Sequence, residues 1–393
     1  MQIKSALRPA QPMQEKNIRI LYISNPESIH AKRWLKAFAD RGYDIHLLSP
    51  VPWEEDRVST HVLPLYPIGA KNLWSRSLGG LQNVNRARKT IRELSPRIIH
   101  LHGLFTVAGP DLMFTVFRQH NLVVSTWGSD VVYPHPCREP FRSWAIKEFL
   151  FRQAAAVLAT SEYQSRVTQQ YCPKDLKVVS TPFGVDLDLF KRDHTVHKPQ
   201  GILTLGFVKR LEENYGPHIL IEAFRLVQQK HKHTRLLVIG EGLMRKQLEE
   251  QLKQMGLLDK AVFAGWIENH RLPEYLNQMD IFVMPTFQET FGVAALEAQA
   301  VQVPVVASDI EGIREVVLHG KTGYLAHPGD PAQFADRIIK LIKDPQGRQR
   351  MGMEGRKFVS ERYEWQQCVD RVERVYLSLL NEPGALAGLS PVR

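Results

Sequence analysis

Short apolar runs rich in valine, isoleucine and leucine recur along this chain, and each is followed by a longer stretch whose apolar residues return at helical spacing. In the first half the pattern predicts strands over 18–24, 43–49, 97–103, 121–126, 155–161 and 176–181, with helices over 30–41 and 81–95 among the segments between them. In the second half it predicts strands over 202–208, 234–240, 261–266, 280–286, 304–309 and 323–327, with amphipathic helices over 217–230 and 243–255. Strands that alternate with helices imply crossover connections, and therefore parallel sheets with helices on both faces. The expected class is α/β, with two doubly wound, Rossmann-like sheets in series.

The seam between the two blocks falls near 187–200, where DLFKRDHTVHKPQ is polar and ends near a proline. The expected domains are 17–190 and 201–345, followed by a helical segment, 346–380, that has no strand after it to cover and is expected to pack back on the first domain. The ends, 1–16 and 381–393, read as frayed tails. No solenoid-period repeat is visible.

A length of 393 residues exceeds what one core organises, which agrees with two large domains. With 44% hydrophobic and 23% charged residues the chain has a globular composition. It has neither a bilayer-length apolar run nor the apolar core of a leader near its start, so the expected location is the cytoplasm. Cys137, Cys172 and Cys368 are widely separated and read as reduced thiols.

The net charge of +10 implies an anionic partner: nucleic acid, an anionic membrane face or a phosphorylated substrate. The segment 71–97 gathers Arg76, Arg86, Arg88, Lys89, Arg92 and Arg97 near Trp74, and reads either as a seat on the inner face of a membrane or as a solvated crossover helix. Nucleic acid is not expected, because no binding motif accompanies the basic residues.

The segment with the most chemistry is PTFQETFGVAALEAQAVQVPVVASDIEGIREVV, 285–317. It starts at the carboxyl end of a predicted strand, the edge at which open α/β sheets bind ligands. Glu289 and Glu297 are separated by seven residues, and Phe291-Gly292 between them opens a helix. A helix N-terminus with free N–H groups suits a diphosphate, and carboxylates suit the hydroxyls of a ribose or hexose. Read on spacing alone, the same two glutamates are more often a pair of solvated helix charges.

The whole string ETFGVAALEA, then PVVASDIEGIREVV, then GKTGYLAHPGD, resembles in order and spacing the signature of the retaining, group 1 (family 4) glycosyltransferases with the GT-B fold. The resemblance is strong over 201–330 and looser over 18–190. It implies that Glu289 contacts sugar hydroxyls, that Phe291 and Gly292 offer backbone N–H groups to sugar or phosphate, that Glu297 holds the ribose, and that Gly312 lines the donor pocket.

In GFVKRLEENYGPHILIEAF, 206–224, it implies that Gly206 lets backbone approach a phosphate and that Lys209 and Arg210 meet the leaving diphosphate. Relatives place a second lysine just before the following helix, where this chain reads Asn214-Tyr215-Gly216. Trp266, in FAGWIE, stands open between flanking the base and filling the core.

The first domain is then the acceptor side. Its opening, SNPESIHAKRW, replaces the glycine pair that many relatives carry, while His30 and Trp34 resemble one subgroup. Many relatives have histidine where Trp127 stands, which leaves His102 and Asp130 as candidates for positioning the acceptor hydroxyl. For His102 the alternative is a buried histidine satisfied by backbone, and for Asp130 a helix N-cap. Asp186 and Asp188 form a DxD that reads as a turn rather than a metal site.

The implied reaction moves a hexose-type sugar from a UDP- or GDP-sugar to a glycan or lipid-linked acceptor in envelope polysaccharide or glycoconjugate synthesis. Configuration is retained, with no metal and no cofactor beyond the donor. A non-catalytic nucleotide-sugar-binding scaffold of the same fold is a second reading. A nucleotide-sugar epimerase is a third, against which the ETFGVAALE string argues.

Overall fold

The computed structural model describes residues 18–63, 73–104, 121–128, 130–132 and 141–381; for 73–82, 141–143, 146 and 381 it describes backbone only. The predicted tail 1–16, the second tail beyond residue 381, and the side chains of Trp74 and Arg76 lie outside the described residues.

Among the described residues two all-parallel sheets carry the fold. The first has seven strands, β1 (Arg19–Ile23), β2 (Asp44–Ser49), β3 (Val58–Val62), β4 (Ile98–His102), β5 (Leu122–Thr126), β6 (Ala156–Ala159) and β7 (Val178–Ser180), in the order β3-β2-β1-β4-β5-β6-β7. The second has six, β8 (Leu203–Val208), β9 (Thr234–Ile239), β10 (Ala261–Gly265), β11 (Ile281–Met284), β12 (Val305–Ser308) and β13 (Gly323–Ala326), in the order β10-β9-β8-β11-β12-β13.

Central strands such as β4, β5 and β11 are buried throughout, as strands covered by helices on both faces must be, which is why they read as continuous apolar runs. The edge strand β3, VSTHV, has only one residue of its five buried, and no apolar run announces it.

Helix ends follow local chemistry. Ser28 caps helix Ile29–Asp40 by accepting from the Ala31 N–H, and the helix buries Ala31, Trp34, Leu35 and Phe38 at helical spacing. Asp330 caps Pro331–Lys343 in the same way through the Gln333 N–H.

The C-terminal segment is two helices, Pro345–Arg362 and Trp365–Asn381. They are separated where the Val185 N–H donates to the Tyr363 carbonyl (2.7 Å) and the Trp365 N–H to the Val185 carbonyl (3.0 Å). The break places the last helix against the first sheet. Tyr376 Oη lies 2.8 Å from Tyr22 Oη and 2.5 Å from His100 Nδ1, and the Tyr43 hydroxyl donates to Glu373 (2.8 Å). No helix among the described residues is long and apolar enough to cross a membrane.

In each sheet the strand order reverses once, between β1 and β4 and between β8 and β11. Such switch points open a crevice at the carboxyl ends of the strands. These ends carry Ser24 and His102 in one sheet, and Lys209 and the segment after Met284 in the other.

Candidate functional site

Lys209 and Arg210 follow the end of β8 in succession, and their side chains diverge. Lys209 turns into the crevice, where its Nζ donates to Glu289 Oε2 at 2.5 Å and stands 5.0 Å from the centre of the Tyr215 ring. Burial works against the ammonium charge, but the Glu289 carboxylate, together with Tyr215 and Glu297 behind it, raises the lysine above its usual pKa. Arg210 points outward, with its side chain 73% exposed and paired to Glu212 at 2.5 Å. The positive charge expected from both residues thus reduces, in the crevice, to Lys209.

Glu289 stands in the loop between β11 and helix Val293–Ala300. Gly292 opens the helix at φ 90°, and a Cβ there would sit 2.9 Å from Ile313 Cδ1 and 3.2 Å from Val316 Cγ2. Glycine is therefore required by both conformation and space. Phe291 turns its ring inward against Tyr363 at 5.5 Å, so what it can present to the crevice is its backbone. The first N–H groups of the helix have no acceptor within it and carry the positive end of its dipole.

Glu297 lies farther along the same helix and is only 6% exposed. Burial pushes its carboxyl up to about 7, against the pull of the Asn269 side-chain N–H, which donates to Oε1 at 3.0 Å, and of the nearby Arg33 and Lys209 charges. The two glutamates are consequently not a solvated pair. One is ion-paired, and the other is buried and poised near neutrality.

Gly312 brings a second loop under the first. A Cβ there would fall 2.2 Å from the Glu289 carbonyl oxygen, so the close approach shapes the floor beneath Glu289 and Thr290. Trp266 follows β10 and is 70% exposed, which removes the core reading and leaves an aromatic face free at the carboxyl edge of the sheet.

Gly206 stands elsewhere than expected. It sits inside β8, paired with Leu237 and Phe282, and the space a Cβ would need is filled by Met279 Sδ at 1.9 Å. Its glycine serves packing of the 272–279 region against the sheet, not approach to a phosphate.

On the acceptor side both candidates turn inward. The Asp130 carboxylate accepts from the backbone N–H groups of Trp127 (3.0 Å), Gly128 (2.8 Å) and Leu104 (3.4 Å). Burial pushes its pKa up and these donors pull against that rise. Asp130 therefore ties Trp127 and Gly128 to Leu104, just after β4. His102 is buried, with Nδ1 3.2 Å from Ser24 Oγ and its ring against Tyr22, His100 and Trp127. Burial and neighbouring His100 hold it well below the usual histidine pKa, so it is a neutral part of the crevice floor. The Asp130 oxygens are thus taken up by backbone N–H groups, and His102 lies in the floor of the crevice beside Ser24.

Two residues that sequence reasoning passes over enter the site. Asn269 holds Glu297, and nothing in its sequence context marks it. Arg33 is half-buried, donates to the Gly184 carbonyl at 3.0 Å, lies 4.1 Å over the Trp365 ring, and contributes its charge to the field at Glu297. A basic residue on an amphipathic helix reads as solvated, which hides it. Asn214, in the stretch before the helix where relatives place a lysine, accepts through its carbonyl from the Phe287 N–H (2.9 Å) and Thr286 hydroxyl (3.1 Å) and so fixes the approach to the loop. Asp186 accepts from the N–H groups of Asp188 (3.0 Å) and Leu189 (3.1 Å), a turn.

The arrangement offers one ammonium, a helix N-terminus and two carboxylates to a ligand that combines a phosphate with hydroxyl-bearing rings.

Residues 191–358 match the family model described as glycosyl transferases group 1, and residues 19–161 match the one described as glycosyl transferase 4-like. The chain is 28% identical over 300 residues to the glycogen synthase of Mycobacterium tuberculosis, covering 74% of this chain and 70% of that protein. It is 30% identical over 241 residues to the capsular polysaccharide biosynthesis glycosyltransferase CapM of Staphylococcus aureus, covering 58% and 63%.

Among solved structures, the sucrose-phosphate synthase of Thermosynechococcus elongatus superposes with a TM-score of 0.78 at 20% identity, over 92% of this chain and 99% of that one. Anabaena HepE, in complex with UDP and glucose, superposes with a TM-score of 0.75 at 20% identity, over 92% and 100%. Likeness at such identities concerns the fold.

Proposed function

As a chain that belongs to the group 1 glycosyltransferases and has the GT-B fold, this protein is a glycosyltransferase, and we propose that it transfers a hexose-type sugar from a nucleoside-diphosphate sugar with retention of configuration. The observation that carries this reading is the convergence of Lys209, Glu289, Glu297 and the N-terminus of helix Val293–Ala300 at the switch point of the second sheet. Lys209 and the helix N–H groups neutralise the charge that develops on the departing diphosphate, which is the main task of such a site. With that charge supplied by the protein, the proposed transfer is metal-independent and uses no cofactor beyond the donor. Glu289 takes sugar hydroxyls and Glu297 the ribose, while exposed Trp266 offers its face to the base.

The donor is a UDP- or GDP-sugar, since an ammonium, helix N–H groups and ribose-binding carboxylates serve either nucleotide equally. The likeness to CapM supports a glycan or lipid-linked acceptor in envelope polysaccharide or glycoconjugate synthesis. Exposed Arg86, Arg88, Lys89 and Arg92 on helix Leu73–Leu94 support a peripheral seat at the inner face of an anionic membrane.

The test is a screen of UDP- and GDP-sugars for thermal stabilisation and release of free nucleotide, with Glu297→Ala alongside. One donor should stabilise the protein and turn over slowly, and both effects should be lost in the variant. Binding without turnover in the presence of glycan and lipid acceptors would favour the scaffold reading. Failure of every nucleotide sugar to bind would remove the donor-site assignment.

A further inference from the structure

The donor loop is held from the opposite half of the molecule. Helix Glu162–Gln169 starts at the carboxyl edge of the first sheet, just after β6, and Ser161 caps it. The Ser161 hydroxyl accepts from the Gln164 N–H at 3.0 Å and donates to the Thr290 carbonyl at 2.7 Å. Its one proton and its lone pairs are thus both used, one on its own helix and one on the donor half. Thr290 stands between Glu289, which holds Lys209, and Phe291, which leads into helix Val293–Ala300. From the same side, the absent side chain of Gly128 leaves room for Thr290, whose Oγ1 would be 3.1 Å from a Cβ there.

A second tie runs the other way. The first N–H groups of helix Glu162–Gln169 have no acceptor in their own helix. Two of them, of Glu162 and Tyr163, donate to the two oxygens of Glu315, at 2.9 and 2.5 Å. Glu315 follows the short turn Glu311–Arg314, whose Gly312 lies directly beneath the Glu289 carbonyl, and its own carbonyl accepts from the Tyr363 hydroxyl at 3.2 Å. A carboxylate at a helix N-terminus is favoured by the dipole as well as by its hydrogen bonds. By contrast the outer pair, Arg166–Glu311 at 2.8 Å, is well exposed on both sides and contributes little.

We propose that Ser161 and Glu315 are positioning residues: together they lock the acceptor half onto the 289–292 donor loop, so that the loop reaches its reacting geometry only when the two halves are closed. They touch neither donor nor acceptor and act through Thr290 and Gly312. This inference rests on the transferase reading. It implies that the donor half binds nucleotide with or without the lock, whereas sugar transfer needs it, because small misplacements at a reacting centre cost large factors in rate.

The experiment compares the full-length protein with Glu315→Ala, Glu315→Gln, Ser161→Ala and, as an exposed control, Arg166→Ala. Three readouts are taken: UDP affinity by calorimetry, amide exchange over 162–164 and 289–292, and kcat against KM with the donor found above. Glu315→Ala should speed exchange at both segments by at least tenfold and lower kcat by a similar factor, with UDP affinity and donor KM within about twofold.

Glu315→Gln keeps one acceptor oxygen and should recover part of the loss, Ser161→Ala should show the same pattern more weakly, and Arg166→Ala should match the parent protein. Unchanged exchange at 289–292 in Glu315→Ala, or a fall in UDP affinity as large as the fall in kcat, overturns the proposal. If the parent protein binds neither UDP nor GDP, the donor-site reading fails, while the exchange measurement still decides whether the lock exists. Ser161→Ala keeps the question answerable if Glu315→Ala does not fold.

Discussion

Lys209 and Glu289 form an ion pair at 2.5 Å at the mouth of the crevice, both largely enclosed, with Glu297 buried close behind. The ammonium is therefore held in place before any ligand arrives, and little reorganisation is needed when a phosphate takes up its remaining donors. Removing Lys209 leaves Glu289 enclosed without its cation. Lys209→Ala is expected to lower kcat by about 10²–10³-fold. Steady-state kinetics checks this, and Lys209→Arg, which keeps the charge, should recover part of the loss.

Glu297 predicts a pH dependence. Its folded-state value of about 7 lies above the ordinary carboxyl value of ~4.3. Between those two values the folded chain binds more protons than the unfolded one, so stability falls as pH rises across that window and the contribution levels off above about 7. An ionised carboxylate is a stronger acceptor for ribose hydroxyls than a protonated one, so donor affinity should move the opposite way and strengthen as pH rises through 7. Calorimetric titration with UDP-glucose between pH 6 and 8 is the check, because its diphosphate does not titrate there. Glu297→Gln should flatten the profile and bind more weakly at pH 8.

Two glycines separate ligand shape from packing. Gly292→Ala puts a side chain into left-handed backbone and against Ile313, which should cost about 1–3 kcal/mol and abolish donor binding in the molecules that stay folded. Gly206→Ala forces Met279 aside and should cost a similar amount, about 1–3 kcal/mol, while donor affinity of the folded fraction is kept. Denaturation midpoints together with donor titrations distinguish the two. Loss of donor affinity in folded Gly206→Ala would restore that glycine to the site.

Asp130→Ala leaves the buried N–H groups of Trp127, Gly128 and Leu104 without their acceptor, at about 1–3 kcal/mol for each that stays unpaired. The expected outcome is a large fall in unfolding free energy in urea, with Asp130→Asn intermediate because it keeps one acceptor oxygen. A variant that loses turnover without losing stability would return Asp130 to the acceptor site.

The sequence by itself determined the layered architecture. Buried parallel strands need continuous apolar runs, amphipathic helices need their own period, and both patterns are local properties of the chain, so central strands and long helices are legible within a few residues. The loop over 289–297 was legible only through the resemblance of ETFGVAALEA to a family signature, because on spacing alone its two glutamates read as solvated helix charges.

Tertiary structure decided what depends on partners distant in sequence. It turned Lys209 in and Arg210 out, spent Asp130 on three backbone amides, filled the space beside Gly206 with Met279, and brought Asn269 and Arg33 toward Glu297. It also placed β3, whose polar sequence carries too little burial to announce a strand. The physical reason is common to all of these: propensity and period act between neighbours along the chain, whereas the charge state of a carboxyl and the direction of a side chain are set by neighbours in space.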